Sequence, residues 1–266
     1  MASLVQRPWV KLGVAIVLQG QPGSGKGCII THFLASIIGS HHFSHVTGLE
    51  QICGPFNAPA LATACLVFVD EAMCGSHKRY AAQLKTLITE LRHTVQNKYA
   101  PPLSIDSFAN FIMASNEDHV VTMEHKDRRY FALQTDNKWS GVQSEEKAAY
   151  FAKLRAVPVH AVAKYLYEYD ISTFNPRQFP STDLQREQKR MSLPKNGVDT
   201  WLLACIEVSR LPTSDDEDAD SDTWEAVRLK SMVYQHYAAQ AGAHAKPGQT
   251  KSLCTKNEWS SRVWLL

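Results

Sequence analysis

The chain has no apolar run approaching the roughly 20 residues that a membrane-spanning helix needs, and no charged-then-apolar leader pattern. It also lacks a CxxC pair. Its six cysteines (Cys28, Cys53, Cys65, Cys74, Cys205 and Cys254) follow no regular spacing, so the expectation is reduced, buried thiols rather than a disulfide framework. Charge of neither sign dominates. With 28 basic and 26 acidic residues the net charge is +2, so any nucleic-acid contact has to come from a local patch. No internal repeat is visible, which excludes a solenoid. His41, His42 and His45 near Cys53 fit no zinc spacing and read as a loop beside the first helix. No Ser/His/Asp or Cys/His nucleophile can be assembled from sequence alone. These absences leave a soluble chain with no membrane partner, expected inside the cell, in cytoplasm or nucleus.

What is present is ordinary in bulk and specific in one place. Of 266 residues, 44% are apolar and 20% charged, the balance of a globular protein large enough for one main domain and an appendage. The specific place is Gly20-Gln21-Pro22-Gly23-Ser24-Gly25-Lys26-Gly27. It follows the apolar run Val14–Leu18 and leads through Cys28 into a helical pattern ending near Gly39. A strand, a glycine-rich turn, a lysine and a helix form a phosphate loop. Its backbone N–H groups point into one concavity, the helix N-terminus adds positive potential, and Lys26 reaches the β- and γ-phosphates. The pattern wants Ser or Thr after the lysine to hold Mg²⁺, and here that residue is Gly27. Ser24, Thr31 or water are the candidate substitutes, and Cys28 is a poor ligand for so hard an ion.

Short apolar runs alternate with helical patterns through residue 140, predicting an α/β domain with a mainly parallel sheet. Strands are expected at Gly13–Gln19, Cys65–Asp70, Phe108–Ser115 and Arg129–Gln134, and a helix at Tyr80–Thr89. Thr94–Gln96 and Leu103–Ile105 read as a hairpin whose tip carries Lys98 and Tyr99. Residues 141–212 read as a helical extension, interrupted at Pro158, with a charged helix at Asp183–Met191 and an apolar one at Val198–Ser209. Residues 213–222 are an acidic linker, and 223–266 a C-terminal helical segment.

Two further signals point to nucleotide chemistry. The run Leu66–Val69 ends in Asp70 and Glu71. In a parallel sheet ligands sit at the carboxyl ends of strands, so Asp70 would face Lys26 and hold Mg²⁺ while Glu71 takes a proton from the attacking water. The run Phe108–Ser115 ends in Asn116, an amide able to bond a γ-phosphate oxygen without bringing a competing charge. Asp127 then precedes Arg128 and Arg129, read either as a local ion pair or as cations for a neighbouring subunit's site.

In order, GQPGSGKG at 20–27, GPFNAPAL at 54–61, LVFVDEA at 66–72, LKTLITE at 84–90, FANFIMASNEDHVV at 108–121 and DRRYFAL at 127–133 resemble the motif series of a superfamily 3 helicase. The closest kind is the C-terminal motor of phage and viral primase/polymerase–helicase proteins. FNPRQFPSTDLQREQKRMSL at 174–193 looks like that family's post-motor helical segment. The resemblance implies an AAA+-type P-loop NTPase core that uses ATP and Mg²⁺, with Lys26 in the Walker A role and Asp70 and Glu71 in the Walker B role. It further implies Asn116 as polar sensor and Arg128 or Arg129 as a finger acting in trans, in a homo-oligomeric ring, a hexamer in that family. Single-stranded or forked DNA would thread the ring, touched by Lys98 and by stacking on Tyr99. The family carries an upstream collar and a primase module, so the resemblance also implies a fragment or a subunit that relies on partners such as a primase/polymerase module. Residues 224–266 resemble the start of a winged helix. The rival readings are a packaging or transport ATPase without unwinding activity, and a nucleotide-dependent assembly or initiator module that hydrolyses weakly.

Overall fold

The computed structural model describes residues 1–71, 78–124, 127–141 and 143–193. The chain divides into two compact units, Met1–Ser192 and Leu193–Leu266, and all but the last described residue belongs to the first. The expected helix at Val198–Ser209, the acidic linker and the winged-helix-like segment lie outside the described residues.

In chain order the elements are α1 (Ala2–Gln6), β1 (Ala15–Gln19), α2 (Lys26–Ile29), a π-helical turn (Ile30–Leu34), α3 (Ala35–Ile38) and β2 (Phe43–Val46). There follow α4 (Glu50–Cys53), α5 (Ala58–Leu61), β3 (Leu66–Val69), α6 (Lys78–Thr89), β4 (Arg92–Val95), β5 (Leu103–Asp106), β6 (Asn110–Ser115) and β7 (Tyr130–Gln134). The unit closes with α7 (Glu145–Ala156), α8 (Val159–Glu168) and α9 (Asp183–Met191). Five strands form one sheet in the order β2-β3-β6-β1-β7, and every pairing in it is parallel. The hairpin β4–β5 is a separate antiparallel pair.

The central strands are buried on both faces, so β3 and β6 read as unbroken apolar runs rather than alternating ones. Alternate side chains still serve different layers. Val17, Val67, Val69, Met113 and Ala132 pack with Leu84 and Ile88 of α6 and Leu184 of α9. Phe68, Leu66, Ile112 and Ala114 pack with Ile30 and Leu34 behind the loop, Leu4 of α1 and Leu166 of α8. Each such fully buried side chain is worth about 1.5–3 kcal/mol, which makes the sheet a rigid base for its carboxyl edge.

The four expected strands are found, each shortened by up to two residues at its start. The expectation of a loop at His41–His45 is corrected. Phe43–Val46 is an edge strand, β2, registered on β3 with His45 opposite Phe68. Four residues in which only Val46 is fully buried carry too little apolar signal to stand out, and only pairing with β3 makes them a strand. The helix behind the loop ends where expected, with Gly39 in the left-handed region at φ 85°.

Candidate functional site: a glycine-rich loop at the carboxyl edge

Because β3, β6 and β1 are adjacent and parallel, their carboxyl ends bring Asp70, Asn116 and Gly20 to one edge. The loop between β1 and α2 turns through Gly23 and Gly25, at φ 77° and 93°, a region only glycine enters cheaply. At two points the loop also has no room for a side chain. A Cβ on Gly20 would overlap the Thr135 hydroxyl, and one on Gly25 would sit 2.8 Å from the Phe151 ring.

Lys26 is the hub of this edge. Its Nζ donates to Gly20 O (2.7 Å), Gln21 O (3.0 Å) and Asn116 Oδ1 (2.7 Å). An ammonium has three protons, so all are committed within the chain, and an incoming anion has to replace a carbonyl or the amide. Burial lowers the Lys26 pKa, and the Asp70 carboxylate opposes the shift. Asp70 is half-exposed at the end of β3, with Oδ1 accepting from Glu71 N (3.2 Å) and Oδ2 3.7 Å from His45 Nε2. Glu71 is exposed and takes φ 56°, a conformation uncommon outside glycine that is found preferentially at functional turns.

Residues after the sheet cover the loop, and sequence reasoning missed them. Asn137 Oδ1 accepts from Gln21 N (3.0 Å), Ser140 donates to Pro22 O (3.1 Å), and Thr135 Oγ1 bonds the Ser24 hydroxyl (3.2 Å). Lys147, at the start of α7, donates to Trp139 O (2.7 Å), with its Nζ 3.3 Å from where a Gly23 Cβ would stand. Trp139 stacks on Tyr150 at 5.3 Å. Nothing in the string EEKAAYFAKL marks Lys147 or Phe151 as loop-facing, since only the return of α7 across the edge places them.

For a divalent cation the donors are few. Gly27 has none, and a Cβ there would meet the Phe68 ring at 3.7 Å. Neither proposed substitute hydroxyl is idle, for Ser24 bonds Thr135 and Thr31 donates to Gly27 O (2.9 Å). Among the described residues no group of three or more His, Cys, Asp or Glu is placed to hold a metal by itself. Asp70 is a hard oxygen donor beside the loop, so the residues fit a cation that completes its shell from phosphates and water.

The two arginines stand elsewhere. Arg129 O accepts from Ala15 N (2.7 Å) at the start of β1, so the pair lies at the amino edge, roughly 16 Å of strand away from Gly20. Arg129 is bound to Asp127 through its backbone N–H (3.0 Å) and Nη1 (3.3 Å). Asp127 is fully buried, with Lys85 Nζ 3.7 Å from its other oxygen. Arg128 is exposed. Within one chain neither reaches Lys26. The hairpin base is anchored at the same amino edge, where Lys11 Nζ meets His93 (3.0 Å) and Ser107 (3.2 Å) and Ser107 N donates to Leu91 O. Asn57 Oδ1 accepts from Gln96 N (3.1 Å). At the tip Tyr99 is 94% exposed at φ 66°, and Lys98 Nζ lies 5.2 Å over its ring.

A family of unknown function, DUF5906, matches residues 18–129, a span holding the loop, Asp70 and Glu71, the hairpin and both arginines. The DNA primase-polymerase of Nitratiruptor phage NrS-1 is 31% identical over 130 residues, covering 48% of this chain and 18% of that protein. The fold is that of its C-terminal region. The apo structure of that region superposes with a TM-score of 0.63 at 22% identity, covering 78% of this chain and 52% of that one. Its A form gives 0.60 at 21%, with 78% and 48% covered. The chain thus spans about half the length of these solved structures and less than a fifth of the phage protein. Among the described residues no helix is long and apolar enough to cross a membrane.

Proposed function

We propose that this chain is an ATP-dependent DNA motor of the superfamily 3, AAA+ type, acting intracellularly in replication of a phage, virus or mobile element. The observation that carries the reading is the convergence of Lys26, Asn116 and Asp70 on one carboxyl edge, with Lys26 Nζ 2.7 Å from the Asn116 amide. That is the set a triphosphate needs, namely a cradle of N–H groups, a cation, a polar sensor and a carboxylate. Likeness to a phage primase-polymerase and to the fold of its C-terminal region supports the replicative setting.

In this reading Lys26 gives up Gly20 and Gln21 carbonyls for β- and γ-phosphate oxygens, and Asn116 follows to the γ-phosphate. Asp70 would hold Mg²⁺ together with the phosphates, and the ion would neutralise phosphate charge there. Glu71 orients the attacking water and takes its proton. A ring of identical subunits would bring a neighbour's Arg128 to the phosphate, since Arg128 is exposed while Arg129 is tied to Asp127. Lys98 and Tyr99 would contact single-stranded or forked DNA by charge and stacking, with a primase/polymerase module as the expected partner.

The test is ATP turnover and strand displacement on a forked substrate. Wild type should do both. Lys26→Ala should lose nucleotide binding, and Glu71→Gln should bind but lose turnover by at least about 10²-fold. Turnover without displacement favours a packaging or transport ATPase. Gly27 in place of a cation-binding hydroxyl favours a second reading, a nucleotide-dependent assembly or initiator module, which binding without turnover would support.

A further inference from the structure

At position 27 the loop has glycine where a phosphate loop normally offers a hydroxyl to its divalent cation, and the hydroxyls of Ser24 and Thr31 bond Thr135 and Gly27 O. One donor of a different chemistry stands beside Asp70. His45 Nε2 lies 3.7 Å from Asp70 Oδ2, with the two side chains 42% and 45% exposed. Two donors that each sit about 2.1 Å from one ion can be up to about 4.2 Å apart, so a single cation can touch both without either strand moving. The gap is also too wide for a direct hydrogen bond, so Nε2 remains available.

The placement of His45 is built into the sheet. β2 runs parallel to β3 with His45 opposite Phe68, and the imidazole packs on the Phe68 ring at 5.1 Å between centroids. That same ring lies 3.7 Å from where a side chain at Gly27 would begin. Phe68 therefore forms a wall shared by the missing donor and the candidate replacement. Asp70 Oδ2 is the carboxylate oxygen beside His45 Nε2, and among the described residues the imidazole packs against the Phe43 and Phe68 rings.

We propose that His45 is a metal ligand of this nucleotide site, supplying with Asp70 the protein donors that Gly27 does not provide, and that it sets the site's choice of cation. The inference rests on the reading of the loop as a nucleotide site. Mg²⁺ is a small, hard ion that keeps oxygen ligands. An imidazole beside a carboxylate favours first-row ions that accept nitrogen, with Co²⁺ above Mn²⁺ in the general order of affinity. The site takes Mn²⁺ or Co²⁺ together with a nucleoside triphosphate in preference to Mg²⁺.

The experiment titrates Mg²⁺, Mn²⁺ and Co²⁺ into the full chain with a fluorescent non-hydrolysable ATP analogue, reading analogue binding, and follows Mn²⁺ itself by electron paramagnetic resonance. Wild type should reach half-saturation with Mn²⁺ at a concentration at least about tenfold below that for Mg²⁺, the lower end of the about 10–100-fold that losing even an outer-shell partner of a metal ligand costs. His45→Ala and the size-conserving His45→Gln should abolish that ratio while leaving analogue binding in chelator unchanged. Gly27→Ser on the His45→Ala background should recover Mg²⁺ dependence, because the Cβ meets only an ordinary contact at Phe68. A Mn²⁺-to-Mg²⁺ ratio unaltered in both His45 variants overturns the proposal and leaves the nucleotide reading standing. Failure of wild type to bind the analogue under any condition overturns that reading, and this inference with it.

Discussion

Replacing Gln188 should destabilise the core unit by several kcal/mol, although it lies on a charged helix that reads as solvated. Gln188 is fully buried. Its Oε1 accepts from Val120 N (2.8 Å) and Val121 N (3.2 Å), and its Nε2 donates to Asp118 O. Val120 and Val121 are themselves fully buried, so neither N–H can turn to water when the amide is removed. Each stranded donor costs about 1–3 kcal/mol. Gln188→Met keeps the volume and should cost about 2–4 kcal/mol, while Gln188→Ala adds a cavity and should cost about 3–5 kcal/mol. Arg186→Ala, two residues away and exposed, should stay within about 0.5 kcal/mol of wild type. Urea unfolding followed by circular dichroism reads the difference as a shift in midpoint at constant slope. A shift below about 1 kcal/mol for Gln188→Ala would refute the reasoning.

The same region of the chain also ties β7 and the segment after β6 together. Thr182 donates to Ala132 O, Gln185 to Tyr130 O, and Ser192 Oγ accepts from Met123 N.

The paired arginines should separate by role. Arg129→Ala strips a partner from the fully buried Asp127 and should cost about 2–3 kcal/mol of stability, whereas Arg128→Ala should leave the unfolding midpoint unchanged and act only on turnover by assembled subunits. Lys98→Ala should reduce DNA-stimulated ATP turnover and unwinding with basal nucleotide binding intact, and unwinding that survives the change would remove the hairpin from the DNA path. Stability should fall on acidification. Burial, reinforced by the Lys11 ammonium, lowers the pKa of His93 below the ordinary 6.5 despite the Leu87 carbonyl and Glu90, and burial likewise lowers that of His119. The unfolded chain therefore binds more protons in that range, so the histidines' contribution is complete above pH 6.5 and is lost as pH falls through their folded values, read as a drop in Tm. Lys11 adds the same slope at higher pH. Its pKa is pushed down to about 8 mainly by burial, with Glu90 opposing, so stability should also rise between pH 8 and the ordinary 10.5.

Much of the site was legible because its parts are short and local. Gly20–Gly27 carries its own turn geometry, and a run such as Leu66–Val69 followed by two acids announces both a buried strand and the residues at its end. Reading Asn116 needed one more step, that β6 lies parallel between β3 and β1, and the apolar run Phe108–Ser115 supplied the strand but not its neighbours. Residues that work through distant partners left no mark. His45 sits in a four-residue edge strand whose pattern is nearly that of a loop. Gln185 and Gln188 look like the wet face of a charged helix until β7 and the segment after β6 cover them. Arg128 and Arg129 could be read as partners of Asp127 or as cations for a neighbouring subunit, and the burial of Asp127 chose the local pair for Arg129 alone.

By itself the sequence determined the loop, the four apolar strands and the longer helices of the first unit, since backbone preference, apolar period and glycine content act over a few residues at a time. The tertiary structure alone decided which ends meet. It placed Lys26 against Asn116 and Asp70 while holding Arg128, Arg129 and the hairpin base at the opposite edge. It folded Lys147 and Phe151 over the loop and set His45 beside a carboxylate, behind a ring that also faces Gly27. Such contacts join residues up to more than a hundred positions apart, and strand order and register, which no local pattern encodes, bring them within reach.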